Sequence, residues 1–93
     1  MAQITQAGNS WSLTGEVLIN TVIPLLEASQ AMPILANTKI DFFGVTDIDT
    51  STISLILEWK RRALKENQVI QFVNLPTNLN SLTQLYGVAE LIN

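Results

Sequence analysis

The sequence predicts a small α/β domain, a mixed sheet of about four strands covered by about three helices. Three observations carry that expectation. Two short alternating runs flank a Gly8-Asn9 pair near the start of the chain. Further on, two apolar runs, Lys39 to Phe43 and Val69 to Leu75, read as strands. Between and after them lie segments whose apolar residues recur every three or four positions, the period of a helix.

From Ile4 to Thr14 the chain reads as two strands around Gly8-Asn9, since Gly and Asn tolerate the positive φ of a tight hairpin, and Trp11 and Leu13 alternate with Ser10 and Ser12. Gly15 is expected to end this ribbon. Glu16 to Ala31 then carries Val17, Leu18, Val22, Ile23, Leu25 and Leu26, which predicts a first helix starting near Asn20, with Asn20 or Thr21 as its cap. Pro24 fits the first turns and Pro33 marks the end, leaving Met32 to Asn37 as connection. The strand from Lys39 to Phe43 is apolar enough to be central, Asp41 excepted, and a short loop is expected from there to Asp49.

Ser51 to Lys65 reads as the second helix, closing at Asn67, a residue that accepts the left-handed conformation. Pro76 stops the strand that begins at Val69. Thr77 or Asn78 can then cap a last helix carrying Leu79, Leu82, Leu85 and Tyr86, with Gly87 at its end and Val88 to Asn93 as a tail. Right-handed crossovers would put the helices joining parallel strands on one face unless the strand order reverses.

A chain of 93 residues has room for one domain spanning 1–93 and one modest core. Apolar residues make up 47% and charged residues 14%, which argues for a compact fold and leaves apolar surface for another subunit to cover. With a net charge of −3 there is no basic stripe of the kind that nucleic acid requires. The absence of cysteine excludes a disulfide framework. Met1 to Asn9 lacks the basic start and apolar run of a signal peptide, so the expected location is the cytoplasm. The longest apolar runs fall far short of the roughly 20 residues that span a bilayer, so no direct membrane insertion is expected.

The most informative stretch is Asp49-Thr50-Ser51-Thr52, a carboxylate and three hydroxyls where a strand hands over to an amphipathic helix. Such residues are what a helix N-cap prefers, which explains them without any function. The first turn of that helix also offers free N–H groups able to accept an anion. In the same helix Ile53, Ile56, Leu57, Ala63 and Leu64 form a core stripe, while Leu55 and Trp59 lie toward another side and Lys60, Arg61, Arg62 and Lys65 make a basic patch. That pattern fits a plain amphipathic helix with a solvated cationic side. It also fits a docking surface in which Leu55, Trp59 and Arg62 join Thr50, the expectation taken forward because Trp and Arg are enriched at interface hot spots. Lys60, close to the apolar stripe, is expected to snorkel. Trp11, Phe42, Phe43 and Tyr86 are assigned to packing.

Catalysis has little support. The chain has no His and no Cys, no glycine-rich phosphate loop, and no metal-ligand spacing, so no catalytic, metal or cofactor site is expected. A Ser or Thr nucleophile would have to rely on a Lys or a carboxylate as base.

Leu13-Thr14-Gly15-Glu16, Ile40-Asp41, the run from Val45 to Ser51, and Leu85-Tyr86-Gly87-Val88 together resemble the STAS domain, the family named after sulfate transporters and anti-sigma factor antagonists. The resemblance covers nearly the whole chain, with Asp49-Thr50-Ser51 as its most specific part, and Thr after the motif Asp is similar to the MlaB branch. It implies a non-catalytic cytoplasmic subunit that binds the ATPase of an Mla-type ABC phospholipid transporter (MlaF-like) and supports its assembly or activity. Through that ATPase it would sit at the inner face of the inner membrane, in indirect contact with the permease and in the service of outer-membrane lipid asymmetry. The alternative it implies is an anti-sigma factor antagonist regulated by phosphorylation at Thr50. Partner contact is then expected at Asp49, Thr50, Ser51 and Thr52. Where family members commonly carry Gly after the hydroxyl, this chain has Ser51 and Thr52, which predicts a tighter loop. Asp41 is expected to hydrogen-bond loop amides.

Overall fold

The computed structural model describes residues 2–85 and residue 87. The first two strands, β1 (Gln3–Ala7) and β2 (Ser10–Val17), pair antiparallel across the Gly8-Asn9 turn, with Ala7 opposite Ser10 and Gly8 at φ 59°. Helix α1 (Val22–Gln30) leads to β3 (Thr38–Ile48), helix α2 (Thr50–Lys65) to β4 (Ile70–Val73), and helix α3 (Thr77–Leu85) follows. The sheet order is β1-β2-β3-β4, with β2, β3 and β4 parallel. Each parallel crossover steps one strand in the same direction, so the handedness rule places α1 and α2 on one face, where they touch each other.

Strand alternation supplies the surface they cover. Trp11, Leu13 and Val17 of β2 and Ile40, Phe42 and Ile48 of β3 are buried with Leu25 of α1, Ile53, Ile56 and Trp59 of α2 and Leu79 of α3. The intervening residues Ser12, Thr14, Glu16 and Lys39 face the other way and are exposed. The fold is therefore two layers, helices on one face and a largely polar sheet surface on the other.

Several boundaries differ from expectation, each for a local reason. The loop expected from Gly44 to Asp49 is strand as far as Ile48. Register shifts between Ser12 and Thr14 and between Gly15 and Glu16 insert extra residues into β3, which breaks the alternation that marks a strand. Gly44 sits at the first of these: a Cβ there would lie 2.7 Å from Thr14 Cγ2. Gly15, expected to end the ribbon, lies inside β2 at φ 87°. Strand β4 is shorter than Val69 to Leu75, and Val69 itself is exposed. Helix α1 starts at Val22, and Thr21 in its cap position makes no side-chain cap bond, its hydroxyl being used by Leu18 N–H and the Glu16 carbonyl. Helix α3 begins at Thr77 itself, directly after Pro76.

Asn67 takes the left-handed conformation expected of it, at φ 56°. Phe42 packs edge-on against Phe72 as a core aromatic, whereas Phe43, also assigned to packing, projects from the open sheet face at 83% exposure. Leu64, expected in the core stripe of α2, is exposed, because the buried arc of that helix runs through Leu55 and Trp59 instead. Tyr86 and Val88 to Asn93 lie outside the described residues.

Candidate functional site

The junction between β3 and α2 is built around Asp49. Its extended backbone (φ −140°, ψ −169°) makes it the N-cap of α2, and one carboxylate oxygen accepts from the Ser51 amide at 2.9 Å and from the Ser51 hydroxyl. The other oxygen accepts from the Ile19 amide at 3.0 Å, tying the start of α2 to the loop between β2 and α1. Thr52 completes the capping box: its hydroxyl accepts from Asp49 N–H at 3.3 Å and donates to the Val17 carbonyl at 2.8 Å. Partial burial tends to raise the Asp49 pKa, but the Ser51 hydroxyl and the Ile19 and Ser51 amides outweigh it and hold the carboxyl below its ordinary value.

This arrangement divides the four junction residues by role. Thr52 is fully buried and Asp49 is committed to three donors, so both build the corner. Thr50, the first residue of α2, is exposed, and its hydroxyl makes no hydrogen bond to another described residue; Ser51 beside it is half-buried. The anion seat expected from free first-turn amides is corrected. Asp49 already occupies it, the Ser51 amide pointing to its carboxylate and the Thr52 amide to its carbonyl.

The docking role expected of Leu55 and Trp59 is also corrected, and Arg62 has a structural task. Leu55 and Trp59 are each 1% exposed and present no surface. Trp59 stacks edge-on against Trp11, centroids 5.8 Å apart, and donates its indole N–H to Ser29 Oγ at 2.9 Å. A helix stripe read from hydropathy could not show this, because the acceptor that admits the indole to the core is on another helix, 30 residues away. Arg62 reaches back to the end of α1, donating to the carbonyls of Ser29 at 2.9 Å and Met32 at 2.7 Å and to Glu66 at 2.8 Å. It thereby braces the end of α1, adding a donor to the Ser29 carbonyl that also accepts from the Met32 amide, while its guanidinium lies 5.9 Å from the Trp11 ring centroid. Asp41, on the open face, accepts from its near neighbour Phe43 N–H at 2.8 Å and from the Asn74 side chain at 2.9 Å, a fastening between β3 and the turn after β4.

What the sequence reading missed is a pair of exposed isoleucines around the start of α1. Ile19, 75% exposed, sits in the loop that Asp49 holds, and Ile23 is exposed on the first turn of α1. The available signal was an isoleucine directly before the Asn20-Thr21 helix start, in excess of what the core stripe of α1 needs. Among the described residues no group of three or more His, Cys, Asp or Glu could hold a metal ion, and no helix is long and apolar enough to cross a membrane.

Comparison with known proteins agrees with this architecture. The structure of the anti-sigma factor antagonist SpoIIAA in its unphosphorylated form is similar, with a TM-score of 0.72 at 16% identity, over 97% of this chain and 84% of that one. No curated protein matches the sequence. The family described as "Mlab, STAS domain" matches over residues 2–93, and the chain belongs to that STAS family.

Proposed function

We propose that this protein is a non-catalytic docking subunit whose contact surface is the β3–α2 corner, and that its partner is the ATPase of an Mla-type ABC phospholipid transporter. The observation that carries the reading is the isolation of Thr50: its neighbours Asp49 and Thr52 are locked into the corner, while its own side chain is left exposed. An exposed hydroxyl on a rigid corner, with the exposed Ile19 in the loop tied to that corner, suits a surface made for protein contact, where a polar atom sets register and apolar area supplies affinity. The Mlab description of the family supports a transporter partner over a free-standing regulator. In this reading the protein is cytoplasmic and reaches the membrane only through the ATPase.

The exposure of Thr50 and the SpoIIAA-like fold also favour a second reading, that of an anti-sigma factor antagonist switched by phosphorylation at Thr50. A phosphate there adds about −1.5 to −2 charge immediately beside the Asp49 carboxylate. Recovery of tagged wild-type and Thr50→Glu protein from cytoplasm and solubilised inner membrane, with mass spectrometry of retained chains, separates the two. An ABC ATPase with its membrane subunits, lost with Thr50→Glu, is the expected outcome. A soluble kinase-like partner with phosphate on wild-type Thr50 would establish the second reading instead.

A further inference from the structure

Four of the five cations in the chain, Lys60, Arg61, Arg62 and Lys65, fall within six residues at the end of α2. With Glu58 and Glu66 counted, that stretch carries +2 while the rest of the chain carries −5. The helix dipole accounts for cations in the last turn, Arg62 and Lys65. It does not account for the cavity of about 180 Å³ that opens between this end of α2 and α1, walled by Leu26 and Trp59 and rimmed by Arg61, Arg62, Lys65 and Glu58.

The electrostatics of this cleft are set from both sides. The carbonyls that would make the end of α1 negative, Ser29 and Met32, are taken up by Arg62. Glu58 is paired with Arg61 and Glu66 with Arg62, which leaves Lys65 in excess at the rim, among the described residues. The volume is smaller than the roughly 300–1,000 Å³ of small-molecule sites, a size suited to a single inserted side chain. An apolar floor inside a cationic rim is complementary to an apolar residue flanked by carboxylates.

We propose that the cleft between α1 and α2 is a second docking site, taking an acidic segment of a partner protein. One apolar side chain of that segment enters against the half-buried Leu26, and its flanking carboxylates meet Arg61 and Lys65. The site is separate from the Thr50 corner, because its α2 residues, Glu58 to Lys65, lie two to four helical turns along α2 from Thr50, about 12–22 Å.

The test is a titration of the 15N-labelled protein with a blocked pentapeptide of leucine flanked on each side by two glutamates, followed by NMR and by Trp fluorescence. The expected result is shifts centred on Leu26, Gln30 and the stretch from Glu58 to Lys65, with saturation at millimolar peptide. Affinity should fall at least tenfold in Arg61→Glu/Lys65→Glu, and again in the separate variant Gln30→Glu, both at exposed positions with melting temperature as the folding control. A peptide with lysine in place of glutamate should give no shifts. Absence of shifts, shifts centred on Thr50, or equal affinity in the charge-reversed protein would overturn the proposal. So would perturbation of these residues by phosphatidylglycerol vesicles and not by the peptide, which would assign the cleft to lipid. Failure of the cleft proposal leaves the reading of the Thr50 corner standing, because that reading is tested separately by recovery of partners with Thr50→Glu.

Discussion

Replacing Asp49 by Ala removes the acceptor for three donors at once: the Ser51 amide, the Ser51 hydroxyl and the Ile19 amide. Loss of an N-cap alone costs about 0.5–2 kcal/mol. The Ile19 bond is a further hydrogen bond to a charged group, but it lies near solvent, so its share is at the low end of the usual range, about 1 kcal/mol. Together these give about 2 kcal/mol, which for a domain of this size lowers the melting temperature by roughly 8–16 °C. The effect is also pH-dependent. Because the Asp49 pKa is lowered in the folded state, its charge contributes stability that is present above the ordinary carboxylate value and is lost as pH falls through the folded value. Urea melts of wild type and Asp49→Ala at a series of pH values should therefore show a gap that is constant near neutrality and narrows in acid. A loss below about 0.5 kcal/mol at neutral pH, or a gap that widens in acid, would refute the account of the corner.

Three other substitutions test the packing beneath it. Trp59→Ala should cost about 3–5 kcal/mol and leave Ser29 Oγ without its indole donor, so that denaturant melts show a chain near the edge of folding. Arg62→Ala removes the guanidinium donor from the Ser29 and Met32 carbonyls at the end of α1 and should cost about 1–2 kcal/mol, with faster amide hydrogen exchange confined to the last turn of α1. Gly44→Ala drives a methyl into Thr14 and the Leu13 carbonyl, and thermal melts should show a loss of about 1–3 kcal/mol.

The order of elements and the hairpin were legible because they rest on local signals: Gly8-Asn9 for the turn, alternation for β2, helical spacing around Ile53 and Ile56. The second half of β3 was not, since its register shifts are a relation between two strands and leave only an irregular pattern in one. At the site, the capping chemistry of Asp49 and Thr52 followed from residue type. Which side of α2 is buried did not, because Trp59 is admitted to the core by Ser29 and Trp11, and Arg62 is held by carbonyls of α1, all remote in sequence. The sequence reading therefore took two core residues and a helix fastener for a contact surface, and passed over Ile19, whose exposure depends on where Asp49 pins its loop.

The most direct measurement is the affinity of wild type and Thr50→Ala for the purified transporter ATPase, by titration calorimetry, alongside the melting temperature of each. Thr50 is exposed and makes no hydrogen bond to another described residue, so the account predicts stability within about 0.5 kcal/mol of wild type and binding at least tenfold weaker. Unchanged affinity in a normally folded Thr50→Ala protein would contradict it.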